Sequence, residues 1–270
     1  MIEETTDPRD LGDVDNTIPQ PVMTSELLGW ESFGMTDPGK VRRVNEDALW
    51  VDNRNRLWVV ADGMGGHYAG DIASQSIAEA FAALDTTDRL SETANRIEVT
   101  LIDLNRRFLD LASRGGDDVT IGSTVAVCAF RQGWMLLAWV GDSRIFRWRE
   151  GTLHQLTQDH SQVEELISHG LLLRENVEAH PAAHVVTRAI GAADDVFVDL
   201  DYCDARPGDR FLLCSDGLTR EVTTPEIRRL LGQEASAQQM CEGLIAATLA
   251  AGARDNVTAI VAKAHAAKTP

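Results

Sequence analysis

Basic residues are scarce in this chain. Its 270 residues carry 25 Lys and Arg against 42 Asp and Glu, a formal net charge of -17. So acidic a surface excludes nucleic acid and an anionic membrane face as partners, and suits a site that gathers cations. Cysteines are few as well: Cys128, Cys203, Cys214 and Cys241, with no C-x-x-C spacing. That excludes a disulfide framework or a zinc knuckle. Cys128 and Cys214 lie inside apolar runs and read as small core residues, which fits a reducing, cytoplasmic setting. No apolar run nears the roughly 20 residues of a membrane span. The N-terminus has neither a basic segment nor an apolar stretch of the secretory kind, so no signal peptide is expected.

What is present is a chain long enough for one large domain, with no linker-like stretch in its middle. Residues 1–27 are acidic, poor in apolar side chains and contain Pro8, Pro19 and Pro21. They cannot bury enough surface to offset the entropy of ordering, and read as a disordered arm. The folded domain is expected over residues 28–265. Strands are expected at 30–33, 41–51, 57–61, 123–130, 134–140, 144–149, 197–202, 210–215 and 257–262. Helical spacing appears in Ile72, Ala73, Ile77, Ala80, Phe81 and Leu84, and again over about 91–112. Thr223-Thr224-Pro225-Glu226 is a helix start, and Ser236 with Gln239 forms a capping box for a helix that ends at Ala251 before Gly252. From about 158 to 183 the pattern turns polar around one short helix, as in a flap insertion over the surface. Strands flanked by paired helices imply an α/β (α+β) fold: a four-layer αββα sandwich, two central antiparallel sheets flanked by helix pairs.

The stretch Val59-Val60-Ala61-Asp62-Gly63-Met64-Gly65-Gly66 organises the rest. An apolar strand ends in a carboxylate and breaks into a glycine-rich turn, which lets backbone approach whatever Asp62 holds. A carboxylate beside an exposed carbonyl suits a hard divalent cation. The form recurs: a buried strand, Arg210 to Ser215, ends in Asp216-Gly217, and Asp255-Asn256 stands at the start of the last strand. Glu46-Asp47 adds two acids within a strand-like run. Brought together, these five would repel one another unless cations neutralise them.

These residues resemble the PPM/PP2C family of metal-dependent serine/threonine protein phosphatases, in particular its bacterial stand-alone members. The resemblance rests on Arg42-x-x-Asn45-Glu46-Asp47, the Asp62 motif, Gly122-Ser123-Thr124 and Gly141-Asp142-Ser143-Arg144. It continues through Leu156-Thr157-x-Asp159-His160-Ser161, His180-Pro181, Thr187-Arg188-Ala189-x-Gly191, Cys214-Ser215-Asp216-Gly217-Leu218-Thr219 and Asp255-Asn256-Val257-Thr258. The pieces stand in family order from about residue 30 to 262. It implies that Asp62 bridges two Mn²⁺ or Mg²⁺ ions, that the Gly63 carbonyl joins one, and that Asp216 and Asp255 ligate the other. Glu46 and Asp47 act through metal-bound waters, and Arg42 holds the substrate phosphate. A hydroxide bridging the two metals then attacks phosphorus directly. The implied partners are phosphorylated proteins, including a serine/threonine kinase and its substrates.

Three departures stand out. Where some members carry a histidine after Asp-Gly as general acid, this chain has Met64, which leaves protonation of the leaving group to water, His160 or His180. Where many have an aspartate for a third metal, it has Val119, so a weak third site would depend on the neighbouring Asp118. Ala183-His184 replaces an Arg-Asn pair after His-Pro. Two other readings stay open: a phosphoprotein-binding module without turnover, and a dimetal enzyme acting on small phosphate esters. The spacing from Cys214 to Arg220 also matches the nucleophile loop of tyrosine phosphatases. Asp216 inside that anion cradle, and the apolar strand around Cys214, weigh against it.

Overall fold

The computed structural model describes residues 28–65, 69–115, 120–177 and 180–267. The expected acidic arm and Asp118 lie outside these residues. The chain begins with β1 (Leu28–Asp37), β2 (Asp47–Asp52) and β3 (Leu57–Met64), followed by helices α1 (Ala69–Ala82) and α2 (Leu90–Gly115). Then come β4 (Gly122–Ser123), β5 (Val125–Arg131), β6 (Trp134–Val140), β7 (Arg144–Arg149), β8 (Thr152–Gln155) and the short α3 (Gln162–Ser168). The last third holds β9 (Asp199–Asp204), β10 (Arg210–Cys214), α4 (Asp216–Thr219), α5 (Thr224–Leu231), α6 (Ala237–Ala251) and β11 (Val257–Ala266).

The strands form two sheets, one ordered β1-β11-β10-β7-β8 and one ordered β2-β3-β5-β6-β9, with β4 paired to β3. Every paired neighbour is antiparallel. The central strands are apolar over most of their length because both of their faces are covered. On β3, Leu57, Val59 and Ala61 pack under Ile77, Phe81, Ile97 and Phe108 of α1 and α2. Its alternate residues Trp58 and Val60 face the other sheet, meeting Phe211, Leu213 and Ile260. On β10 the same alternation sends Leu212 and Cys214 toward Leu230, Met240 and Leu244 of α5 and α6. The expected αββα sandwich is therefore the fold, with one core between the sheets and one under each helix layer.

The helix signals hold in detail. The Ser236 hydroxyl accepts the Gln239 N–H at 3.1 Å while Gln239 Oε1 accepts the Ser236 N–H at 3.0 Å. Several strand expectations need correction. The run 41–51 is strand only from Asp47, so Glu46 precedes β2 rather than lying within it. Residues 38–46 instead cross the sheet ends as a loop whose backbone groups are taken by the Asn256 side chain. The expected strand 123–130 breaks at Thr124, whose N–H turns to the Asp62 carbonyl at 2.8 Å. β9 begins at Asp199, leaving Phe197 71% exposed, and β8, with a single apolar residue, was not foreseen. Segment 158–183 carries α3 and a 3-10 turn, braced by a Glu164–Arg174 ion pair, and exposes Leu171 and Leu173.

Phe211 is fully buried between the sheets. Phe211→Ala should lower unfolding stability by about 3–5 kcal/mol, read from urea denaturation. A loss under about 1 kcal/mol would contradict this account of the inter-sheet core.

Candidate metal centre

Antiparallel pairing decides where the acids meet. β2 pairs with β3 so that Asp47 lies opposite Asp62. At the same end of the sandwich, Cys214 of β10 lies opposite Ala259 of β11 and Arg144 of β7. Asp216 just beyond β10, Asp255 just before β11 and Asp142 just before β7 therefore share a rim with Asp47 and Asp62. One hydrogen bond joins the sheets there: the Ser215 hydroxyl donates to Asp47 Oδ2 at 2.7 Å while accepting the Thr258 N–H at 3.0 Å.

The backbone of the rim is fixed by short polar contacts. The Asp62 carbonyl accepts the Ser123 hydroxyl at 3.0 Å as well as the Thr124 N–H. The Gly63 N–H donates to the Glu46 carbonyl at 3.0 Å. A Cβ on Gly63 would lie 2.0 Å from the Gly70 carbonyl oxygen and 2.7 Å from that of Glu46, so no side chain fits. Asn256 ties the incoming loop to Asp255: its Oδ1 accepts the Glu46 N–H at 2.9 Å, and its Nδ2 donates to the carbonyls of Pro38 and Val44, both at 3.0 Å.

The carboxylates resist ionising together. Burial foremost, and then Asp47, Asp216, Asp142 and Asp255, hold Asp62 well above the ordinary range. Asp47, 2% exposed and with Oδ1 lacking any partner, is pushed up to about 7 by burial, against the hydrogen bonds from Thr258 and Ser215. Burial and the neighbouring Asp216 likewise push Asp142 to about 7. Burial and Asp255 raise Asp216, with Arg220 opposing, and burial raises Glu46.

Two arginines offset part of this charge. Arg42 lies against Asp255 with Nε 3.0 Å from Oδ1 and Nη2 3.0 Å from Oδ2. Arg220 pairs with Asp216 and, at 3.2 Å, with Asp255 Oδ2. Among the described residues no three His, Cys, Asp or Glu side chains already converge as a metal cage. The oxygen-only donors, the orphaned Asp47 Oδ1 and the side-chain-free Gly63 nevertheless fit hard divalent cations, which take carboxylate and carbonyl oxygens.

Asp62, Gly63, Glu46, Asp47, Asp216, Asp255 and Arg42 are thus brought to one rim. Asp142 and Arg220 belong there too. Asp142 stood in a quoted motif without a role, and Arg220, four residues after Asp216, appeared only in the unrelated cysteine spacing. His160 is no free acid: Nδ1 accepts the Gly141 N–H at 3.0 Å, Nε2 faces Asp199 at 3.1 Å, and burial lowers its pKa. His180 uses Nδ1 to accept the Ala182 N–H at 3.1 Å. The Cys214 thiol is fully buried and pushed up to about 12, so it supplies no thiolate.

The raised carboxylates give the metal-free protein a signed pH dependence. Asp47 and Asp142 titrate near 7 folded, against an ordinary value of 3.8. The folded state then holds more protons than the unfolded state between those values, and stability falls as pH rises through 7. In EDTA the melting temperature should be higher at pH 5.5 than at pH 8. Calorimetry showing the reverse order would contradict the burial of these acids.

Comparisons with known proteins give the family. Residues 40–260 match the family model for protein phosphatase 2C. The chain is 35% identical over 234 residues to protein phosphatase PhpP of Streptococcus pneumoniae, covering 83% of this chain and 93% of PhpP. It is 34% identical over 235 residues to serine/threonine phosphatase stp of Listeria monocytogenes, covering 84% and 92%. Among solved structures it is similar to PppA, a regulatory component of T6SS in Pseudomonas aeruginosa, with TM-score 0.80, 36% identity and coverage of 87% and 98%. It is also similar to the catalytic domain of PstP in complex with two manganese ions, with TM-score 0.79, 31% identity and coverage of 88% and 100%. The chain belongs to the protein phosphatase 2C family and is a serine/threonine protein phosphatase.

Proposed function

We propose that this protein hydrolyses phosphoserine and phosphothreonine in proteins, using two divalent cations, Mn²⁺ or Mg²⁺, at the rim. Asp62, the Gly63 carbonyl, Asp216 and Asp255 would hold them, with Glu46 and Asp47 acting through waters and Asp118 reserved for a weak third ion. The observation that carries this reading is the gathering of five acids from four separated stretches, with Glu46, Asp47, Asp62 and Asp216 raised in pKa by burial, around a backbone with no room for a side chain. The manganese-bound PstP neighbour supports the choice of metal. Bound there, the cations supply an activated water for direct attack on phosphorus and offset charge on the phosphoryl oxygens.

The chain's own residues do the rest. Asp62 and Gly63 are held by Ser123, Thr124 and the Glu46 carbonyl, so the donors face the rim without reorganising. Arg42, half-exposed on a loop, can leave Asp255 and offer its planar fork to a phosphate. Met64 has no proton to give and the His160 Nε2–H is committed to Asp199, which leaves the departing serine or threonine oxygen to be protonated by water or by His180. Among the described residues, neither Cys214, which is buried, nor Ser215, whose hydroxyl is committed to Asp47, is poised as a nucleophile. Hydrolysis therefore goes in one displacement, breaking the phosphorus–oxygen ester bond as water's oxygen bonds to phosphorus.

The catalytic unit spans about 28–265, with 158–183 as a flap, and acts on phosphoproteins including a serine/threonine kinase and its substrates. No helix among the described residues is long and apolar enough to cross a membrane. Three buried free thiols suit a cytoplasmic, reducing setting.

A phosphothreonine peptide assayed with Mn²⁺, with Mg²⁺ and with EDTA tests the reading. Turnover should vanish in EDTA; persistence there would overturn the metal assignment. Asp62→Asn should lower kcat by about 100-fold or more with unchanged circular dichroism. Cys214→Ser should keep full metal-dependent activity. Comparable turnover of small phosphometabolites would shift the substrate class.

A further inference from the structure

We propose that Arg220 is a resident counter-cation that competes with metal for Asp216 and Asp255, and so sets the metal concentration at which the enzyme loads. This rests on the metal-centre reading above. Asp216 opens the single turn of α4, and Arg220 closes it, its N–H donating to the Asp216 carbonyl at 2.9 Å. The guanidinium folds back over the same turn to the Asp216 carboxylate and reaches Asp255 Oδ2. Its side chain is 26% exposed, and its Nε is buried with no partner. An orphaned buried donor destabilises a protein. Here it is tolerated beside two charged bonds made by the other end of the same group.

Asp255 shows why competition follows. A carboxylate offers about four acceptor positions. Oδ1 has the Asn256 N–H at 2.9 Å and Arg42 Nε at 3.0 Å; Oδ2 has Arg42 Nη2 at 3.0 Å and Arg220 Nη1 at 3.2 Å. All four are in use. A cation can ligate Asp255 only by displacing a donor. Arg42, with half its side chain in water, can swing away. Arg220 is less free, with its side chain only 26% exposed and its Nε buried one helical turn from Asp216. Its positive charge stays close to any cation held by these two acids and weakens that cation's binding. When no metal is present, the same charge keeps Asp216 and Asp255 together against their repulsion. Arg220 thus holds the site in shape and opposes its loading.

One substitution separates the two effects. Arg220→Gln should tighten Mn²⁺ binding to metal-stripped protein by about tenfold in titration calorimetry, from loss of one nearby partly exposed charge. It should also lower the melting temperature in EDTA by about 2–4 °C. Arg220→Met, which keeps the packing of the stem, should do the same if the Gln variant does not fold. Arg220→Lys, which keeps the charge, should stay within about threefold of the parent affinity. Mn²⁺ bound equally or more weakly by both neutral variants would overturn the proposal. Failure of the underlying reading looks different: the parent would take up no Mn²⁺, or Asp62→Asn would titrate like the parent.

Discussion

Mutual repulsion of carboxylates at a half-dry rim is the constraint on which this structure is built. Asp47, Asp62, Asp142 and Asp216 all sit where burial and one another disfavour the ionised form. Local contacts, from Ser215 to Asp47 and from Arg220 to Asp216, do not by themselves gather them. The two sheets do, because antiparallel pairing puts the ends and beginnings of β2, β3, β7, β10 and β11 at one edge. The apolar layers above, between and below those sheets supply the stability that such a rim consumes. Placing unsatisfied charge at the end of the most rigid elements keeps the ligands aimed when the cations arrive.

Two kinds of restraint meet at this rim. Asp62, Gly63 and Asp47 belong to the sheets and are fixed by register, by Ser123 and by Ser215. Arg42 and Glu46 belong to a loop that crosses the sheet ends, and Asn256 is the clasp that holds it. The division suits the proposed chemistry, in which the ligands would stay while Arg42 would move between Asp255 and a substrate phosphate.

Much of this was legible in the sequence. A short apolar strand ending in Asp-Gly declares both a buried strand and a fixed carboxylate, which is why Asp62 and Asp216 could be singled out before any fold was known. Ser236 and Gln239 declared a helix start, because a capping box is a local bond. What depended on distant partners was harder. Val41 to Glu46 has the residues of a strand but pairs with none, and the Asn256 side chain takes its Val44 carbonyl and Glu46 N–H. Thr124 looks like strand interior, yet its N–H turns to Asp62. Asp142 stood in plain view without a role because only the β7–β10 register sets it beside Asp216. Arg220 carried no signal, because a cation among metal ligands has meaning only once the ligands are known to meet. The sequence left His160 open, beside water and His180, as the group that protonates the leaving oxygen. A ring clasped on both nitrogens and stacked on Trp139 is instead a strut.

The outer strand of the six-stranded sheet has a consequence of another kind. Among the described residues β9 pairs only with β6, which leaves one row of its peptide groups open. An open row is a template on which a second chain can add itself and start an aggregate. This strand reads Asp-Leu-Asp-Tyr-Cys-Asp, with an acid at Asp199, Asp201 and Asp204. Asp199 is paired with Arg188, and Asp204 with Arg147, Arg149 and Arg206, so a second copy approaching strand to strand would meet charged side chains of both signs that it would have to strip of water. Charged side chains on an open edge discourage self-association along this flank.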